Sequence, residues 1–245
     1  MEDTPAVRAE LPGLNMTDFA SASYDDHGFR HVDAAYTRNC DARVMFLGDS
    51  FTDGAWVGDA DTFASRYAAV AQVTSGLHVC PVNAGVDGYG TLEEAYVLEQ
   101  SFQIAGRPRL VFVMYYTNDV DAAGKGLLES LPSDADYGWR VSLAYLERMI
   151  TFTRERGERE ATLVIAVIPQ KEQFGDLSTQ RRYDDVLRAF GKSRGVQVID
   201  LLDSLKTYGP DRVYLDWDLH FSRAGHQLVA EILYRETASL LRPAP

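Results

Sequence analysis

Apolar positions along the chain fall into two kinds of run that alternate. Short unbroken runs at Arg43 to Leu47, His78 to Val82, Leu110 to Tyr115, Thr162 to Ile168 and Val196 to Asp200 have the length and content of strands. Between and after them, apolar residues recur every three or four positions, which predicts helices over about Phe63 to Gln72, Leu92 to Ile104, Val141 to Arg156, Thr179 to Arg194 and Ala224 to Leu241. In the second helix, Leu92, Ala95, Leu98 and Phe102 line one face. Pro169 stops the fourth strand, and Gly195 stops the helix before the fifth. The run Leu110 to Tyr115 is apolar throughout, as a central strand covered on both faces should be.

Strands alternating with helices imply a parallel sheet connected by right-handed crossovers. The expected fold is α/β: a single-domain three-layer α/β/α sandwich with a flavodoxin-like parallel sheet of about five strands in the order 2-1-3-4-5. Residues 1–39 are polar and irregular, with Pro5, Pro12, Gly13, Gly28 and the pair Asp25-Asp26. They are expected as an arm packed on a body formed by 40–245. Residues 118–137, rich in Asp, Gly and Ser and carrying Pro132, predict an inserted loop of the kind that is often functional. Ligands of such sheets bind beyond the carboxyl ends of the strands, so the loops opening at Gly48, Asn83, Thr117 and Pro169 should line one site.

Composition narrows the partners. With 46% hydrophobic and 24% charged residues in 245, the chain suits a packed globular protein. Its formal charge of −12 repels phosphate backbones and anionic bilayers, which argues against nucleic acid as a partner. The longest apolar runs are far shorter than the roughly 20 residues of a membrane span. Cys40 and Cys80 are too few for a disulfide framework and lack the spacing of a zinc site, so they are expected as buried thiols. The acidic N-terminus has no apolar stretch of a signal peptide after it, and the chain as it stands is expected in the cytoplasm; one trimmed of a leader would read the same. The oligomeric state is left open.

Four loops carry candidate chemistry. Gly48-Asp49-Ser50-Phe51-Thr52 places a serine one step past a strand end, where its hydroxyl can face a substrate, although a lone serine there is more often a helix cap. Gly85, Gly88 and Gly90 allow a backbone N–H to approach an oxyanion, or simply form turns. In Thr117-Asn118-Asp119, the asparagine can aim its NH₂ at the same oxyanion, or shape a turn. In Tyr214-Leu215-Asp216-Trp217-Asp218-Leu219-His220, an aspartate two residues before a histidine can orient one ring nitrogen while the other accepts a proton from serine. His226 and Gln227 are expected to cap or pack the last helix, and His27, His31 and His78 to be structural. Arg30 is a candidate anchor of the arm near the site, and Tyr137 and Trp139 either wall an acyl pocket or pack the core.

Together these placements resemble the SGNH, or GDSL-type, hydrolase family. Gly48-Asp49-Ser50 is similar to its nucleophile block, Asn83-Ala84-Gly85-Val86-Asp87-Gly88 to its glycine block, Thr117-Asn118-Asp119 to its asparagine block and Asp218-Leu219-His220 to its terminal block, in matching order from about residue 43 to 240. The resemblance implies Ser50 as nucleophile, His220 as base and Asp218 as its orienting acid, with an oxyanion hole from the N–H groups of Ser50 and Gly88 and the side chain of Asn118. Two positions depart from the pattern. Tyr116 replaces the glycine of the asparagine block, which narrows the pocket there. Asp218 lies two residues before His220, while Trp217 occupies the usual three-residue position; this variant also occurs in relatives that transfer acetyl groups to carbohydrates. Asp216 is the reserve acid.

The implied activity is a serine-dependent acyl hydrolase, an esterase with deacetylases among its kind, cleaving an oxygen ester of a small molecule or carbohydrate without metal or other cofactor. The alternatives are an acyltransferase using the same Ser/His/Asp site, a catalytically silent ligand-binding module, and a metal-dependent phosphoesterase built on Asp49, Asp119, Asp216 and His220.

Overall fold

The computed structural model describes residues 21–33, 36–37, 39–120, 135–157, 161–175 and 182–242. Five parallel strands, β1 (Ala42–Gly48), β2 (Val79–Gly85), β3 (Leu110–Tyr115), β4 (Thr162–Val167) and β5 (Gln197–Asp200), form one sheet in the order β2-β1-β3-β4-β5. Every residue of β3 is buried, because strand periodicity sends alternate side chains to opposite, equally covered faces.

Val44, Phe46, Phe112 and Met114 face α2 (Phe63–Ser75) and α8 (Arg223–Thr237). Met45, Leu47, Val111 and Val113 face α3 (Thr91–Ile104), α4 (Ala135–Arg156) and α5 (Arg182–Arg194). The result is the expected α/β/α sandwich.

Several boundaries differ from expectation. β2 starts at Val79 and runs past Val82 to Gly85; the Pro81 within it is tolerated on an edge strand, where its missing N–H need not serve a neighbour. Helix α4 starts at Ala135 rather than near Val141, and two short helices, α6 (Leu201–Leu205) and α7 (Pro210–Val213), fill what reads as loop after β5. A four-residue helix, α1 (Ser50–Asp53), follows β1 directly. Of the insertion expected over 118–137, residues 121–134 lie outside the described residues, as do residues 1–20 of the arm.

The cysteines correct the sequence reading: Cys40 and Cys80 are not thiols but a disulfide, their Cα atoms 5.4 Å apart. Parallel pairing explains it. Arg43 sits opposite Cys80, and Asp41 N–H donates to the His78 carbonyl (2.7 Å), so the residues entering β1 run alongside the start of β2. Further upstream, Tyr24 and Arg30 pair antiparallel around a turn, and Arg30 pairs in turn with Asn83 on the edge of β2. Among the described residues, no helix is long and apolar enough to cross a membrane.

Candidate active site

The carboxyl ends of β1, β2 and β3 meet at α1. Asp49 caps this helix, its carboxylate accepting the Phe51 N–H (2.9 Å), while the N–H groups of Thr52 and Asp53 return to the Asp49 carbonyl (3.0 and 2.9 Å). Helix geometry leaves the Ser50 N–H without an intrahelical partner. Next to α1, Gly85 permits a backbone approach that a side chain would block: a Cβ there would stand 2.2 Å from the Asp53 nitrogen. Asn83 locks the contact, donating to the Thr52 carbonyl (2.8 Å) and accepting from the Gly85 N–H (3.1 Å).

Ser50 Oγ lies 2.7 Å from His220 Nε2. His220 Nδ1 in turn contacts the Asp218 carboxylate, which also accepts the His220 backbone N–H at 2.9 Å. A carboxylate only accepts, so the ring proton belongs on Nδ1 and Nε2 is left to accept from the serine. Phe51 underlies the imidazole at 4.9 Å between ring centroids and touches Tyr116 (4.7 Å) and Phe221 (4.9 Å), which holds the ring in place.

The loop supplying Asp218 and His220 turns back on itself. Tyr214 pairs antiparallel with Phe221, and Leu215 N–H donates to the His220 carbonyl (3.0 Å), so the chain reverses within it. Lys171 Nζ on the Leu215 carbonyl (2.8 Å) and the Tyr214 hydroxyl on the Pro169 carbonyl (2.6 Å) anchor that reversal to the loop after β4. Asp216, the reserve acid, is exposed.

Asn118 Nδ2 donates to Asp49 Oδ2 at 2.8 Å and lies 3.4 Å from the Tyr89 carbonyl. The second distance is longer than an ordinary hydrogen bond, so that N–H can be drawn to a stronger acceptor. Gly88 occupies the turn closed by Tyr89 N–H on the Val86 carbonyl (3.1 Å), with a φ of +75° that favours glycine. The structure thus brings Ser50, His220 and Asp218 into one hydrogen-bonded line and sets Asn118 beside the Gly88 turn.

Buried acids lie behind this surface. Burial pushes Asp49 up to about 6, against the opposing bonds from Phe51 and Asn118. Asp119 accepts from the Tyr116 N–H (2.8 Å) and the Thr91 hydroxyl (3.1 Å), and burial holds it well above the usual carboxylate range. Glu94 is raised likewise, by burial first and by Asp119 second. Asp49 and Asp119 therefore spend their oxygens inside the protein. Among the described residues, no group of three or more His, Cys, Asp or Glu is arranged to hold a metal ion.

Arg30 is only 2% exposed. Its guanidinium donates to the carbonyls of Asp53 (2.9 Å) and Val57 (2.7 Å) and to Asp59 Oδ1 (2.6 Å), all in the segment that follows Ser50. His226 is buried rather than a helix cap and accepts the Phe63 N–H through Nδ1 (3.1 Å). Trp139 stacks on Tyr115 (6.4 Å), and His31 Nδ1 bonds Ser23 Oγ (2.8 Å). Glu94 carries no periodicity or spacing that marks it in sequence.

The sequence of residues 46–228 matches the model of the GDSL-like Lipase/Acylhydrolase family. No curated protein is a significant sequence match. Among solved structures, LAE5, an alpha/beta hydrolase enzyme from the metagenome of Lake Arreo, Spain, is similar at 19% identity and a TM-score of 0.61, over 84% of this chain and 99% of that one. Axe2, an acetylxylan esterase from Geobacillus stearothermophilus, is similar at 18% identity and a TM-score of 0.58, over 82% of this chain and 95% of that one. At these identities the likeness shows a shared fold.

Proposed function

The chain belongs to the GDSL-like lipase/acylhydrolase family, and we propose that within it Ser50, His220 and Asp218 act as nucleophile, general base and orienting acid of an esterase. The observation that carries this is the continuous line from Ser50 Oγ through both nitrogens of His220 to Asp218. His220 Nε2 takes the serine proton as Oγ bonds to the ester carbonyl carbon. The carbonyl oxygen becomes an oxyanion, and the donors assigned to it are the N–H groups of Ser50 and Gly88 and one N–H of Asn118. When the tetrahedral intermediate collapses, the ester C–O bond breaks and the alkoxide leaves with the proton held on Nε2. Water, deprotonated by the same nitrogen, attacks the acyl-serine, and the carboxylic acid departs as Ser50 regains its proton.

Acetylated carbohydrates are the substrate class we favour, supported by the activity named for Axe2. Residues 40–245 form the catalytic body in this reading, with the segment before residue 40 as an arm on it. The Cys40–Cys80 disulfide favours an oxidising compartment over the cytoplasm expected from the sequence, because cytosolic thiol pools keep such pairs reduced.

The test is a fluorophosphonate probe followed by peptide mapping. It should label Ser50, and Ser50→Ala should lose both labelling and hydrolysis of p-nitrophenyl acetate while keeping its circular dichroism. Labelling at any other serine overturns the assignment.

A further inference from the structure

Two tryptophans meet each other, Trp217 next to Asp218 in sequence and Trp56 in the segment that follows Ser50. Trp217 immediately precedes Asp218 and is 44% exposed, an unusual state for so large an apolar side chain. Trp56 follows α1, and its ring meets that of Trp217 edge to face at 5.1 Å. Its backbone is the second observation. Val57 N–H closes a turn on the Gly54 carbonyl (3.2 Å), and Trp56 sits third in that turn at φ +71°, the left-handed conformation such a position reserves for glycine. A bulky side chain keeps that conformation only where its surroundings impose it. Arg30 braces this turn from both ends, bonding the carbonyls of Asp53 and Val57. The strain holds an indole against Trp217, and with it the orientation of the exposed ring.

From this geometry we propose that Trp217, backed by Trp56, is a platform for the alcohol portion of the ester, and that the alcohol it selects is a neutral pyranose ring. The inference rests on the esterase reading above and adds the side of the ester that is recognised. An indole face suits the C–H face of a sugar ring, leaving the ring hydroxyls directed to water. Charge excludes the main competitors: Trp217 lies between the carboxylates of Asp216 and Asp218 on a chain of net charge −12, so phosphorylated or nucleotide-bearing alcohols are repelled. The Trp217 segment also carries His220, which protonates the departing alkoxide, so the platform and the leaving-group proton come from one loop.

The test compares kcat/KM for a mono-O-acetylated methyl pyranoside, ethyl acetate and ethyl hexanoate in the wild type, Trp217→Ala and Trp217→Phe, the ratio of interest being that of the first two. The wild type should prefer the pyranoside. Trp217→Ala should lower the ratio of the two constants about tenfold or more, mainly through KM on the sugar ester, with Trp217→Phe in between. An unchanged ratio overturns the platform. So does a changed preference between ethyl acetate and ethyl hexanoate with the sugar preference intact, since Trp217 would then contact the acyl chain. Failure of the wild type to cleave any of the three esters would instead overturn the esterase reading.

Discussion

Asn118 and Asp49 meet through one hydrogen bond of 2.8 Å, from the side-chain amide to a carboxylate buried beside Ser50. The bond joins the loop after β3 to the residue that caps α1. It commits one N–H of the amide to Asp49, while the Tyr89 carbonyl lies 3.4 Å from the same nitrogen.

Removing that donor should act on the transition state. Asn118→Ala is expected to lower kcat on p-nitrophenyl acetate about 10²–10³-fold with a smaller change in KM, the usual cost of one oxyanion donor. Steady-state kinetics check this, and a change confined to KM would make Asn118 a ground-state contact.

The carboxylate on His220 is assigned to Asp218. Asp218→Asn should reduce kcat by roughly 10³–10⁴-fold while substrate still binds, because an amide can donate to Nδ1 and stabilise the wrong tautomer. Asp216→Asn should cost less than about threefold with the same small ester, a surface change that leaves the imidazole's partner in place. Exchange of the two phenotypes would move the acid to Asp216.

Two buried groups make opposed contributions to acid stability. Burial first, then the charges of Arg30 and His220, depress His226 to about 3, so its contribution is complete above about pH 6.5 and is lost as pH falls toward 3. Asp49, raised to about 6, does the reverse: its protonated form fits the folded site, and stability is gained as pH falls from 6 toward 4. Between pH 7 and pH 4 these amount to a loss of up to about 3 kcal/mol and a gain of up to about 2 kcal/mol. Urea unfolding over that range should show His226→Gln losing less stability than the wild type on acidification, and Asp49→Asn losing more.

The disulfide closes a loop over a sequence separation of 40. Chain-entropy arithmetic puts its effect at about 4 kcal/mol. The double variant Cys40→Ser, Cys80→Ser should therefore unfold at a markedly lower urea midpoint than the oxidised protein, and dithiothreitol should bring the wild type down to meet it.

What could be read from the sequence was what repeats. The unbroken apolar run of β3 announced two covered faces, and the alternation of strand and helix spacings led to a parallel sheet with helices on both sides. The blocks around Ser50, Asn118 and His220 were legible because each falls at a strand end or before a helix. The rest depends on contacts between distant segments. Asn83 reads as the opening of a loop, yet β2 runs on through it to Gly85, and the Asn83 side chain bonds the Thr52 carbonyl. Cys40 and Cys80 become neighbours only through the register of β1 on β2. Gly28-Phe29-Arg30 marks Arg30 as an anchor of the arm near the site, but nothing local in it foretells that the guanidinium will be buried among the carbonyls that follow Ser50.

The depth of Arg30 bears on how this enzyme can be trimmed or transplanted. The family match begins at residue 46, and the disulfide makes residue 40 a natural place to cut. A chain begun at residue 40 would keep all five strands, yet the carbonyls of Asp53 and Val57 would face a hole where a guanidinium had been. The turn at Trp56 would lose its brace and relax out of the left-handed conformation. Such a fragment would retain its secondary structure while its selectivity drifted, so the smallest portable unit has to begin upstream of Ser23, whose backbone and hydroxyl help hold Asp59.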